Sequence, residues 1–587
     1  MDRFAAMEKH PNPAFCREAI LRLDGEWQFG FDKENRGLME KWQEEDGLPE
    51  VIQVPYVYQA PLSGIGRTEA CEVVWYKRRF SVPADFQEKH IFLHFGAVDY
   101  EAMVFINGRL AGTHRGGYSS FSFDITFLLR DGDNDVTVRV FDDDYGKAQM
   151  RGKQIWDDTP FGCWYTRYTG IWQPVWLEAL ETLHLRDFTI EPRLDSQSIR
   201  LKAAVDGLEP GMDAGLRIQV TFQEKPIASA YIALSNPCIE LSLAIHNRDF
   251  VYDGMVLWSP ESPNLYEVAL SVEEGGRTRD RVDTYFGMRK LEIRNGQVYL
   301  NNAPYYQRLI LNQGYYPGGL ITPESDARIC DDIRLIKEAG YNGMRIHQKV
   351  ESSRFLYWCD RLGVLVWEEM PSMYEYRESE ERQILSEFLQ VVERDKNHPC
   401  IFTWVLFNES WGVVGIRFDK RQQDLTRGAY YAVRAADPTR FIVSNDGWEH
   451  TVSDLCTLHD YAAYGDEILQ RHLREEYLRP GSNPEANDHK KAFVDEGGYG
   501  GQPYLMSEYG GISFSADSGW GYNGKVDTEE AFLQRFAGQT AAIKKLPHMQ
   551  GYCYTQFTDV EHEQNGLLRI DRVPKVPLDR IRAINLG

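Results

Sequence analysis

From about residue 288 onward the chain alternates stretches of helical periodicity with short runs that are apolar at every position, and this limits the fold more than any other feature. "ESDARICDDIRLIKEAG" has apolar residues at helical spacing, and "YNGMRIH" follows it as a strand. The same order recurs in "SSRFLYWCDRLG" and "VLVWEEMPS", in "SEFLQVVERDKNHP" and "IFTWVLFNES", and in "QRFAGQTAAIKKLPH" and "MQGYCYTQFTD". A strand without a polar face is covered on both sides, so the pattern implies parallel βαβ units. Residues 288–587 therefore suit an eight-stranded (β/α) barrel, whose chemistry sits at the C-terminal ends of the strands.

The first half reads differently. Residues 1–180 carry short alternating segments such as "GEWQFGFD", "VVWYKRRFSV", "HIFLHFGAV", "EAMVFING" and "NDVTVRVFDDD". They follow one another without helical stretches, which predicts a jelly roll or sandwich, and "INGRLAG" predicts a hairpin turning at Asn-Gly. Residues 181–287 continue with "LHLRDFTIEPRL", "LRIQVTFQE" and "NLYEVALSVEEGG", enough for the seven or so strands of an immunoglobulin-like sandwich. The Cys–Trp–Cys pattern of antibody domains is missing.

Charge and cysteine usage narrow the partners. Lys plus Arg total 65 against 88 Asp plus Glu, a formal net charge of −23, which repels nucleic acid and anionic membranes. The nine cysteines are scattered with no CxxC pair, so neither a zinc site nor a disulfide framework is expected. No apolar leader opens the sequence and no run of 18 apolar residues occurs, so a cytoplasmic protein is expected. No metal and no obligatory cofactor is signalled.

In "WVLFNESWG", Trp404 to Phe407 read as a strand buried on both faces that ends in Asn408 and Glu409. A carboxylate leaving such a strand is costly unless its charge or proton is used. "YLMSEYGG" ends in the same way at Glu508. About 100 residues separate the two, room for about three βα units at roughly 30 residues each, so both can face the barrel axis. A pair of carboxyl groups about 5 Å apart is the geometry of a retaining glycosidase. Each Glu taken singly also fits a structural ion pair. Other polar residues gather at predicted strand ends: Arg345, His347, Glu368 and Glu369. His347 alone fits a hydrogen-bonded core histidine, Glu368 and Glu369 fit ion-pair partners of Arg345, and Trp367 and Trp404 read as core.

Ordered matches along nearly the whole chain resemble glycoside hydrolase family 2, the family of β-galactosidases and β-glucuronidases. They include "LDGEWQFGFD", "GAVDYEAMVFINGRLAGTHRGGYSSFSFDIT", "YTRYTGIWQPVWLE", "WSPESPNLYEVAL", "NQGYYP", "MRIHQKVESSRFLYWCDRLGVLVWEEMPS", "FNESWG", "SNDGWEH" and "MSEYGG". The resemblance implies Glu409 as general acid/base, Glu508 as nucleophile, Asn408 as partner of the sugar 2-hydroxyl, and Tyr461 in "LHDYAAYG" as the tyrosine touching the nucleophile. Relatives keep an Asp where this chain has Trp164, and read R-x-S-H where it has "RIHQ". The loop holding "RGKQIW" and "FGCWYTRY" lies where relatives reach the barrel mouth, so Trp164 either walls the sugar or packs the domain interface. The Asn-x-Lys motif by which β-glucuronidases bind the uronate carboxylate is absent from "EHEQNGLLR". Lys349, Arg345, Arg308 and Arg569 remain as cations for a uronide, Lys349 and Arg569 foremost. The expectation is a retaining exo-β-glycosidase for a galacto-configured sugar, a β-galactoside or β-galacturonide. A β-glucuronidase with a different clamp, or an inactive carbohydrate-binding protein, is the alternative. The expected partner is a small carbohydrate or glycoconjugate; a homo-oligomer is compatible with the sequence.

Overall fold

The structure, a computed structural model, describes residues 3–245, 255–486, 490–495, 497–514 and 519–587. Between residues 20 and 180 a six-stranded antiparallel sheet and a four-stranded one form a sandwich. Strand His90–Phe95 alternates half-buried and fully buried residues, as one face covered by a partner sheet requires. The hairpin turns where Asn-Gly predicts: Ile106 pairs with Arg109, and Asn107 and Gly108 both take positive φ, 52° and 78°. From His184 to Phe286 a three-stranded and a four-stranded antiparallel sheet make a second sandwich with its own core.

The third part is a parallel barrel. Its strands are β1 (Gln307–Asn312), β2 (Gly343–Ile346), β3 (Leu365–Glu369), β4 (Ile401–Val405), β5 (Phe441–Val443), β6 (Cys456–Asp460), β7 (Tyr504–Gly510) and β8 (Met549–Thr555). They pair in the order β5-β4-β3-β2-β1-β8-β7-β6, nearly closing, with the gap between β5 and β6. Helices follow the strands: α1 (Asp326–Glu338), α2 (Ser353–Leu362), α3 (Glu381–Asp395), α4 (Lys420–Ala436), α5 (Gly465–His472), α6 (Glu529–Lys545) and α7 (Leu578–Leu586). The connection from β5 to β6 carries no helix; residues 444–455 turn tightly across the barrel mouth instead. Leu406 and Phe407, expected inside a strand, are buried just beyond the end of β4. Among the described residues no helix is long and apolar enough to cross a membrane, and all nine cysteines are free.

The barrel core runs without a break into the other two parts, taking in Tyr118 and Trp172 from the first and Trp258 and Tyr285 from the second. Polar contacts fix the same seams. The Tyr118 amide donates to Glu387 Oε1 on α3 at 2.9 Å, and Trp258 Nε1 donates to the Asp360 carbonyl on α2 at 2.9 Å.

One segment of the first part, residues 151–165, reaches over the C-terminal face of the barrel. Its Arg151 and Gly152 amides both donate to the Ser372 carbonyl at 3.1 Å, and the Tyr374 hydroxyl donates to the Gly152 carbonyl at 2.7 Å. Gly152 has φ of +59°, and a Cβ there would lie 2.2 Å from the Gln348 carbonyl oxygen. Gly152→Ala should therefore be destabilised by the roughly 1–2 kcal/mol of left-handed backbone strain that an alanine brings there, and should also lift the segment off the barrel. Gly211→Ala is the control, since Gly211 has φ of +89° and nothing within 4 Å of the added carbon. Calorimetry should show the larger fall in thermal midpoint for Gly152→Ala; equal falls would mean that the contact with Gln348 gives way freely.

Candidate active site

Four barrel strands deliver polar residues to one point on the axis. Arg345, near the end of β2, is wholly buried. Its Nε donates to Glu369 Oε2 at 2.7 Å, its Nη1 to Glu508 Oε1 at 2.7 Å, and its Nη2 to Asn408 Oδ1 at 2.7 Å. Asp446 Oδ2 lies 3.0 Å from Nη2. Burial opposes this charge, but Asp446, Glu369 and Glu508 outweigh it and hold the guanidinium protonated. The second Glu508 oxygen, Oε2, accepts from the Tyr461 hydroxyl. Both oxygens of this carboxylate are thus held by donors on other strands. Asn408 spends its oxygen on Arg345, so the hydrogen-bonding capacity left to its side chain is the NH₂ group.

Glu409 is aimed by backbone. Its amide donates to the Asp446 carbonyl at 3.0 Å, and the Asp446 amide donates to the Phe407 carbonyl at 2.8 Å, zipping the loop after β4 to the turn after β5. Glu409 and Ser410 both sit in the left-handed region, with φ of 52° and 60°. Two successive non-glycine residues there store strain of the kind that gathers at functional sites.

His459, on β6, joins the two halves. Its Nδ1 donates to Glu409 Oε1 at 2.7 Å and its Nε2 to Asp446 Oδ2 at 3.0 Å, while Glu508 Oε1 lies 3.5 Å from Nε2. With both carboxyl groups ionised, both ring nitrogens donate and the ring is an imidazolium. Burial alone would lower its pKa; Glu508, Asp446 and Glu409 push it up to about 10. In return, against burial, the hydrogen bond from His459 lowers the Glu409 pKa. One oxygen of Glu409 and one of Glu508 lie within 4.8 Å of each other.

The segment from the first sandwich closes one side. Trp164 packs against Trp156, Phe161 and Tyr374, and meets Trp411, two residues after Glu409, edge-on at 5.4 Å between centroids. The Tyr165 hydroxyl donates to Glu563, after β8, and the Thr166 amide donates to Glu561 at 3.0 Å.

The other expected residues fall in different places. His347 is buried beside the cluster, its Nδ1 3.1 Å from Glu369 Oε1, and burial lowers its pKa well below the usual range, with Lys153 and Arg345 adding to the effect. Lys349 is not available to a ligand. It is buried, and its ammonium donates to the Gly314 carbonyl, the Ile321 carbonyl and Glu351 at 2.9, 2.8 and 2.7 Å, which uses all three protons. Arg569 is exposed and paired with Asp571 at 2.7 Å. Arg308, near the N-terminal end of β1, donates to the Gly340 carbonyl at 3.1 Å. Arg345 is occupied by Glu369 and Glu508, and Glu368 is not its partner: successive residues of β3 face opposite ways, and Glu368 lies among Asp395, Arg394 and Glu351 on the helix side.

His459, Asp446 and Glu563 were not singled out by sequence reasoning. His459 stands two residues before Tyr461 in the same motif, "LHDYAAYG", a proximity that was there to use. Asp446 sits within "SNDGWEH", where nothing marks one polar residue from the next. As for metals, Glu409, His459 and Glu508 each offer a ligand atom, but both His459 nitrogens carry protons shared with carboxylates, and a cation would have to displace one.

Three family models match in order: "Glycosyl hydrolases family 2, sugar binding domain" over residues 20–180, "Glycosyl hydrolases family 2" over 183–289, and "Glycosyl hydrolases family 2, TIM barrel domain" over 291–584. A β-galactosidase of Thermoanaerobacter pseudethanolicus is 27% identical over 399 residues, 66% of this chain and 50% of its own. A β-glucuronidase of Paenibacillus borealis is 24% identical over 548 residues, 85% of this chain and 84% of its own. The chain thus spans half the length of the first relative. Among solved structures, the β-glucuronidase of Bifidobacterium dentium complexed with coumarin-3-O-glucuronide superposes with a TM-score of 0.79 at 21% identity, over 97% of this chain and 98% of that one.

The imidazolium has a consequence for stability. A folded pKa of about 10, against about 6.5 unfolded, gives stabilisation that is complete below pH 6.5 and lost as pH rises through 10. His459→Asn keeps one donor without the charge, so its thermal midpoint should fall less between pH 6.5 and 10 than that of the unmodified protein. Parallel decline in the two proteins would mean that His459 is not charged in the fold.

Proposed function

The chain belongs to glycoside hydrolase family 2, and from that premise we propose that it is a retaining exo-β-glycosidase acting by double displacement. The observation that carries this reading is the separation of the Glu409 and Glu508 oxygens, within 4.8 Å. Retaining enzymes hold their carboxyl groups about 5 Å apart, and inverting ones leave roughly 6.5–9.5 Å for a water.

Glu508, fixed by Arg345 and Tyr461, attacks the anomeric carbon and forms the glycosyl-enzyme ester. Glu409 protonates the leaving oxygen. In the resting site Glu409 shares a 2.7 Å hydrogen bond with His459, so the pair together carries the catalytic proton. Once Glu508 is esterified, its negative charge no longer raises the proton affinity of Glu409, which then acts as base toward water. The free NH₂ of Asn408 meets the 2-hydroxyl. A wall of aromatic rings at one side of the mouth suits an enzyme that takes single terminal sugars.

The sugar is read as galacto-configured, a β-galactoside or β-galacturonide, a reading supported by the β-galactosidase among the relatives. A β-glucuronide is the second reading, favoured by the names of the Paenibacillus and Bifidobacterium proteins.

Glu508→Gln should leave the fold intact and reduce turnover of nitrophenyl glycosides by at least about 10⁴-fold, since an amide cannot form the ester. Glu409→Ala should lose most activity on poor leaving groups and regain part of it on activated ones with azide. NMR of the first-formed sugar decides the stereochemistry: a β-anomer supports the pair as assigned, whereas an α-anomer sinks the retaining mechanism.

A further inference from the structure

Every cation considered from sequence is spent on this protein's own groups, yet one buried cation in the barrel mouth is not. Lys153 belongs to the segment that crosses from the first sandwich. Gly152 before it is pinned to the barrel by Ser372 and Tyr374, and the Lys153 carbonyl accepts from the Tyr165 amide at 2.8 Å. Tyr165 is anchored in turn to Glu563, after β8. Lys153 is thus held between contacts to opposite sides of the mouth and is 7% exposed.

Its ammonium lies 6.0 Å from the Trp164 ring centroid and beside the Cys163 thiol. Among the described residues no carboxylate oxygen comes within salt-bridge distance of it, unlike Arg345 and Lys349. The thiol is no counter-ion, because burial pushes Cys163 up to about 11 against the pull of Lys153, and it stays protonated. Burial also opposes the charge on Lys153; the acidic groups around it, Cys163 and Tyr374 first and then Glu563 and Glu508, raise its pKa in spite of that. The Trp164 ring beside it meets Trp411, two residues after Glu409, which sets the Lys153 head on the side of the mouth next to the carboxylate pair.

We propose that Lys153, supplied by the N-terminal sandwich rather than by the barrel, is the cation that meets a carboxylate on the sugar in the site and makes a hexuronide the preferred substrate. The inference rests on the glycosidase reading and deepens it. A buried ammonium without a close anion is poorly compensated, and a uronate supplies the missing charge. A neutral hexose offers only a hydroxymethyl group at that position.

The test compares nitrophenyl β-galacturonide with β-galactoside, and β-glucuronide with β-glucoside. In the unmodified protein the uronide should lead in the pair whose C4 configuration fits. Lys153→Met should cut that uronide-to-neutral ratio of kcat/KM by roughly 10- to 100-fold, the worth of one charge-assisted contact, and Lys153→Arg should retain more of it than Lys153→Met. Calorimetric binding of free galacturonate and glucuronate against galactose and glucose gives a second readout independent of turnover. Failure to cleave all four glycosides overturns the glycosidase reading, and the binding ratio then decides on Lys153 alone. A neutral sugar preferred over its uronide in both pairs, or a ratio unchanged in Lys153→Met, overturns the clamp.

Discussion

The guanidinium of Arg345 is the interaction on which the site depends. Without it, Glu369, Asp446 and Glu508 would converge at the bottom of one pocket with His459 as their only close cation, and burial would drive protons onto them. With it, Glu508 is fixed at both oxygens, Asn408 is held through its amide oxygen, and Asp446 can orient His459. His459 then reaches Glu409. Removing one partner from such a buried network typically costs about 3–5 kcal/mol. Here the loss would fall on the geometry of both carboxylates at once.

Local pattern made the architecture legible. The barrel strands are short and apolar throughout, the sandwich strands alternate, and Asn107-Gly108 turns as its composition requires. Glu409 and Glu508 were legible on similar grounds, because a charge that closes a buried apolar run is too costly to keep without a use. Proximity along the chain misled at the cations. Lys349 lies three residues beyond β2, which suggested the pocket, but the chain turns back and its ammonium is consumed by loop carbonyls and Glu351. Arg569 follows the last strand and yet lies on the surface. Past the end of a strand the period of two no longer says which way a side chain faces. Lys153 was harder still: its barrel neighbours lie some 200 to 400 residues away, and no spacing rule relates a sandwich loop to a barrel mouth.

Two scales of charge coexist here. The −23 net charge acts at long range and is screened by salt within about 10 Å at ordinary ionic strength. The charges around Arg345, His459 and Lys153 lie in low dielectric, where counter-ions do not enter. An anionic sugar would therefore approach against the outer field and be held by the inner one, so its rate of capture and its strength of binding respond to salt separately.

The docking of residues 151–165 is largely a matter of main chain. Gly152 is seated through its amide, its carbonyl and the absence of a Cβ, and the Thr166 amide makes the matching contact at the far end. What anchors the segment and what it presents to the pocket are different atoms. The side chains at 153 and 163 take no part in those hydrogen bonds, whereas the Trp164 ring packs on Tyr374, which holds Gly152. With Lys153 as the proposed clamp, the chain would keep its reagent in one domain and its choice of sugar in another, an arrangement in which new selectivities can be grafted onto unchanged chemistry.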